Sequence, residues 1–148
     1  MNLPRYEIET DKSSSVFGFV SEGIKGKIPK LIKYTETNIK GYYNLAFGDK
    51  DETTGDINDT VISNNGDPEK VLATVVATVY AFTANRENCY VYAKGSTKVR
   101  NRLYRMGITK YLGEIEIDFI IYGLANDAWE PFEKGTDYDA FLVYRKNG

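Results

Sequence analysis

The chain contains no histidine and one cysteine, Cys89. The first absence removes imidazole general bases, Ser-His-Asp and Cys-His triads, and every metal site that needs an imidazole ligand. The second removes an intrachain disulfide and any cysteine cluster for zinc or an iron–sulfur centre. No sign of charge is in excess: 19 Lys and Arg stand against 21 Asp and Glu, a net charge of −2. That balance excludes a pervasively basic nucleic-acid binder but leaves room for a local basic face. Long apolar runs are missing too. The most apolar stretch, residues 71–82, is interrupted by Thr74 and Thr78, and it falls short of the ~20 residues that cross a bilayer. Residues 1–12 hold Arg5, Glu7, Glu9, Asp11 and Lys12 and no apolar h-region. The expectation is therefore a cytoplasmic protein without membrane association.

What is present suits one domain spanning residues 1–148, long enough to bury a core. The first sixty residues read as strands punctuated by glycine. Residues 16–20 are β-prone, Gly23 and Gly26 bracket a turn, and residues 30–35 and 42–47 follow, with Tyr43, Leu45 and Phe47 on one face. Residues 6–10 are a weaker first strand. Residues 48–59 carry Asp49, Asp51, Glu52, Asp56 and Asp59 against Lys50, and predict a hairpin loop into a strand at 57–63.

At Asp67 the period changes. Asp67 as cap and Pro68 as first residue open a helix over residues 68–84, its apolar face built from Val71, Leu72, Val75, Val76, Val79 and Phe82. A strand at 89–94 follows. A second helix over 97–106 is expected to close at Gly107, with Val99, Leu103 and Met106 inward and Lys98, Arg102 and Arg105 as a separate stripe. Strands at 118–122 and 140–144 complete the chain, separated by a loop with Trp129 and Phe132. The class is α+β: two main helices on a largely antiparallel sheet.

The strongest local feature is Lys94-Gly95-Ser96-Thr97-Lys98-Val99-Arg100, where a strand and a glycine turn lead into a helix start. Free N–H groups there favour an anion, and Lys94, Lys98, Arg100, Arg102 and Arg105 add charge. An ordinary cap by Ser96 or Thr97 explains the same residues. The sequence is not a Walker loop, because the spacing between glycines and the Gly-Lys-Ser/Thr order are absent. Charges are also sorted along the chain. Six basic and no acidic residues lie in 94–110, and eight acidic residues with Lys134 alone lie in 114–139. The basic stripe therefore either contacts phosphate or pairs with the acidic segment, within the monomer or across a dimer.

Other candidates are weaker. Glu114, Glu116 and Asp118 would share a face on a strand and could hold Mg²⁺, although a solvated strand explains them equally. The Asp49/Asp51 loop departs from a calcium loop at its glycine and at its last ligand. The Asp/Glu-x-Lys element of a nuclease core is absent, since Tyr92 and Ala93 precede Lys94. Twelve Tyr, seven Phe and one Trp suit half-buried strands. Trp129 and Phe132 are candidates for an interface or for plugging a core edge, the plug being the simpler account, and Cys89 is expected to be a buried, inert thiol.

Two resemblances extend this reading. Over nearly the whole chain the sequence resembles a bacterial family described as a domain of unknown function. The matching residues are Asn64-Asn65-Gly66-Asp67 with Lys70-Val71-Leu72-Ala73-Thr74, Lys94-Gly95-Ser96-Thr97 with Arg100, Leu103 and Tyr104, and Trp129-Glu130-Pro131-Phe132-Glu133-Lys134-Gly135 with Ala140-Phe141-Leu142-Val143. Leu103-Tyr104-Arg105-Met106-Gly107-Ile108 is similar to a helix in the C-terminal half of the GNAT acetyltransferases, which implies Tyr104 as general acid. Two departures separate the chain from that pattern. The spacing from Tyr104 to Gly107 is one residue short, and Asn64-Asn65-Gly66-Asp67-Pro68 replaces the turn that receives the coenzyme A pyrophosphate. Fold likeness by itself does not carry activity.

The expectation is thus a non-catalytic binding or interaction domain with its contact surface over residues 94–105 and no cofactor. Its partner would be a protein, a second copy, a phosphorylated ligand or a nucleic acid. The alternative is a histidine-free enzyme, a degenerate GNAT-like acyltransferase or a small nuclease, using Arg100 and Tyr104.

Overall fold

The computed structural model describes residues 4–58, 63–95 and 97–146. It is an α+β fold with two helices, α1 (Pro68–Thr83) and α2 (Lys98–Asp118), and an eight-stranded, mostly antiparallel sheet. The strands are β1 (Glu9–Thr10), β2 (Val16–Gly23), β3 (Gly26–Glu36), β4 (Tyr42–Asp49), β5 (Tyr90–Ala93), β6 (Phe119–Ala125), β7 (Ala128–Pro131) and β8 (Ala140–Arg145). They hydrogen-bond in the order β1-β2-β3-β4-β5-β8-β6-β7. Only a crossover can make the β4–β5 pair parallel, and α1 is that crossover. The chain forms two compact units, Met1–Tyr34 with Ala46–Ala84, and Thr35–Leu45 with Asn85–Gly148.

In the first unit, Phe17, Phe19 and Ser21 of β2 and Lys30, Ile32 and Tyr34 of β3 are buried by strict alternation. α1 packs on this row. Tyr34 stacks on Phe82 at 4.1 Å, and its hydroxyl shares a 2.8 Å hydrogen bond with Thr78. The helix carries three buried threonines without loss because each hydroxyl donates to its own preceding turn: Thr74 to Lys70 O, Thr78 to Val75 O and Thr83 to Val79 O. Lys30 lies in the apolar row and is neutralised there. Its Nζ donates to Asp49 Oδ1 at 2.6 Å and to Ser63 O at 2.9 Å. The loop after β4 turns on Asp51, whose Oδ1 accepts from the Thr53 and Thr54 amides, and closes with a bridge between Lys50 and Ile57. The strand expected at 57–63 falls largely outside the described residues.

In the second unit the odd-numbered strand residues Val91, Phe119, Ile121 and Phe141 are buried. The even-numbered positions carry a row of tyrosines. Tyr42, Tyr90 and Tyr144 stand opposite one another in register: Tyr42 stacks on Tyr90 and Tyr90 meets Tyr144 at a tilt of 36°, each at 4.5 Å, and Trp129 meets Tyr92 edge-on at 6.1 Å.

Three sequence expectations are corrected. α2 does not close at Gly107, which is buried and not in the left-handed conformation a C-cap glycine adopts. The helix runs on to Asp118, with a kink at Tyr111 (φ −105°, ψ 16°). Glu114, Glu116 and Asp118 are therefore helical and do not share the face a strand would give them. The inward face of α2 is also different. Arg100, Tyr104, Gly107, Tyr111 and Ile115 are buried, whereas Val99 is 77% and Met106 51% exposed. Finally, residues 128–131 are a strand. Asn126 and Asp127 both take positive φ (52° and 60°), the geometry of a two-residue hairpin turn, and pair β6 with β7. Of the two aromatics expected to plug a core edge, Phe132 packs on Tyr138 and Phe141, while Trp129 stays 42% exposed.

Candidate functional site

The start of α2 is built from a close contact. A Cβ on Gly95 would lie 2.2 Å from the Asn101 amide nitrogen, so only glycine lets the connection after β5 pass this close to the helix. Asn101 completes the joint: its Oδ1 accepts from the Gly95 amide at 3.2 Å, and its Nδ2 donates to Tyr138 O at 2.6 Å. This clamp sets the rotation of α2 about its axis. Asn101 carries no signal in a hydrophobic pattern, which is why the expected inward face was displaced.

Thr97 is the N-cap, its Oγ1 accepting from the Arg100 amide at 3.2 Å. Ser96 lies outside the described residues. Lys94, Thr97, Lys98 and Arg102 are exposed, and Arg102 has no ion pair among the described residues. Arg105 is half-buried and donates to Asp137 at 3.4 Å, a link from the basic segment to the acidic one. Arg100 is turned inward, one helical turn before Tyr104 on the buried row. Burial pushes the Tyr104 hydroxyl well above the ordinary tyrosine range, opposed in part by the Arg100 charge. The pair proposed for an enzyme thus shares a face, but that face is interior. Neither residue lines a 220 Å³ cavity of this unit between Leu112, Phe119, Pro131 and Phe132.

The remaining carboxylates do not gather. Among the described residues no group of three or more His, Cys, Asp or Glu is placed to hold a metal ion, and no helix is long and apolar enough to cross a membrane. Cys89 is buried, and desolvation raises its thiol to about 11.

A polar cluster in the first unit was not foreseen. Asp67 makes no cap bond to α1. Its Oδ2 instead accepts from both the Tyr6 and Ser21 hydroxyls. Burial and the neighbouring Asp67 carboxylate raise the Tyr6 hydroxyl. Asn65 is fully buried and pins the β2–β3 turn: Nδ2 donates to Ser21 Oγ and Gly26 O, and Oδ1 accepts from the Lys25 amide. The motif Asn64-Asn65-Gly66-Asp67 is thus a brace between a hairpin, a helix start and the N-terminal segment. The signal for it was present as a polar run before Pro68, but its partners are up to 61 residues away in the chain.

A family model with the description "Family of unknown function (DUF6934)" matches residues 2–146. No curated protein and no solved structure matches the chain.

Proposed function

The chain belongs to the DUF6934 family, and from the outward face of α2 we propose that it is a non-catalytic binding domain that receives anionic groups there. The observation that carries this reading is the exposed stripe of Lys98, Val99, Arg102 and Met106. Burying apolar Val99 and Met106 would favour a partner at this face, and the flanking cations select an anionic one. The Lys98 and Val99 amides, in the first turn, have no intrahelical acceptor and add the positive end of the helix dipole. Lys94 and Thr97 border the same face. Arg100, directed inward, supports the face from below rather than touching a ligand, and Arg105 is shared with Asp137. The burial of Arg100 and Tyr104, 6% and 7% exposed, supports this reading over a histidine-free enzyme.

Inorganic phosphate and a short fluorescein-labelled RNA, each titrated at two salt concentrations, test this. Arg102→Glu is expected to weaken binding about tenfold, a loss of ~1.4 kcal/mol, with its melting temperature unchanged and the salt dependence reduced. No binding by the unaltered protein, or a fall in melting temperature with no change in affinity, would make the stripe structural.

A further inference from the structure

The edge of β2 is left open at one residue. Gly23 and Gly26 close the β2–β3 hairpin around a two-residue turn, so the odd-numbered residues of β2 bond β3 and the even-numbered ones present their N–H and C=O to the other edge. Three of those even positions are occupied. Val16 O accepts from the Asp11 amide, Gly18 pairs with Glu9, and the Glu22 amide donates to the Tyr6 hydroxyl at 3.0 Å. Val20 lies between them. Continuing the β1 register would bring Glu7 opposite it, but residues 4–8 leave the ladder. The edge-facing N–H and C=O of Val20 therefore have no strand partner among the described residues.

A cavity of about 560 Å³ occupies this gap, with residues 5–9 as one wall and β2 and β3 as the other. That volume lies in the range of ordinary ligand sites. The gap is held open at both ends. At one end Glu9 pairs with Gly18. At the other, Tyr6 is fixed by Asp67, stacks on Phe19 at 5.6 Å and lies under Lys70 Nζ at 4.3 Å.

We propose that this cavity receives an extended peptide segment of a partner protein, one residue of which meets the β2 edge and bonds Val20 through its own N–H and C=O. The N–H and C=O of one strand residue are the complement of the N–H and C=O of one extended guest residue, as in other strand additions. Ile8, Val20, Pro29 and Leu31 supply an apolar wall for one side chain of the guest. The rim carries both signs of charge, Arg5, Lys50 and Lys70 against Glu7, Glu9 and Glu22. Such a rim suits a peptide of mixed charge better than a phosphate or a nucleic acid, which the three carboxylates would oppose.

The probe is a fluorescein-labelled acetyl-Lys-Val-Thr-Val-Glu pentapeptide, titrated against the full chain by anisotropy and by ¹H–¹⁵N spectra. Saturable binding is expected, with shifts concentrated in the amides of residues 18–22. A probe N-methylated at its central residue should bind at least tenfold more weakly. So should Val20→Pro, which removes the edge-facing N–H at a position where an edge strand tolerates proline. The methylated probe needs no protein variant, so it reads the proposal even if Val20→Pro does not fold. Absence of saturation at about 1 mM probe, equal affinity for the methylated probe, or shifts confined to α2 would each overturn the proposal.

Discussion

Asp67 and Cys89 show how a residue's surroundings override its type. An aspartate before Pro68 has the sequence of an N-cap, yet its carboxylate collects the Tyr6 and Ser21 hydroxyls from distant segments. Asp67→Ala leaves the buried Ser21 hydroxyl without its acceptor and Tyr6 with the Glu22 carbonyl alone, and a buried donor without its acceptor costs about 1–3 kcal/mol. A urea transition moved to lower concentration by that amount is expected, and an unchanged midpoint would show that the brace carries no stability. For Cys89 the sequence and the structure agree. It is 3% exposed and its thiol is raised to about 11, so the thiolate fraction near neutral pH is minute. Iodoacetamide at pH 7.5 should leave native protein unmodified over a time in which urea-unfolded protein alkylates completely, as read by intact mass.

Among elements, α2 separates what periodicity can tell from what it cannot. Helix existence and its start at Thr97 were legible from a glycine turn followed by hydroxyl residues. Its rotation and its end were not. The Gly95–Asn101–Tyr138 clamp turns Val99 and Met106 outward, and Gly107 meets the interior of the unit instead of capping. Three glycines in this unit make the point testable with the same change to alanine. Gly95→Ala drives a Cβ to 2.2 Å from the Asn101 nitrogen, and Gly123→Ala drives one to 2.4 Å from the ring of buried Tyr138. Both should destabilise by about 1–3 kcal/mol. Gly113→Ala, helical and with nothing within 4 Å, should stabilise by ~0.5–1 kcal/mol, because alanine loses less backbone freedom in a helix. Thermal melts of the three variants decide it, and equal signs would refute the account. The β6–β7 hairpin is a case where the signal existed: Asn126-Asp127 supplies both positive-φ positions, but the run Trp129-Glu130-Pro131 reads as loop because proline discourages a central strand. β7 is an edge strand, where proline is tolerated.

For the molecule as a whole, two buried tyrosines are expected to weaken the fold at alkaline pH. Tyr6 in the first unit and Tyr104 in the second both have hydroxyls raised by burial. A group raised in the folded state is protonated there after it has ionised in the unfolded chain. Its stabilising effect is intact below the unfolded value near 10 and is lost as pH rises through the folded one. Denaturation midpoints should therefore fall steeply above pH 10, and Tyr104→Phe should flatten that fall; identical slopes would exclude burial of Tyr104 as its cause. Composition and periodicity by themselves determined the α+β class, both helices, the β2–β3 turn and the absence of histidine chemistry, because these follow from residue type and from neighbours within a few positions. Tertiary structure alone decided which face of α2 is exposed, that Lys30 lies paired inside an apolar row, and that Asp67 braces rather than caps with its side chain. Each depends on a partner distant in the chain (Tyr138 for Asn101, Asp49 for Lys30, Tyr6 for Asp67), and a local pattern holds no record of which distant group arrives.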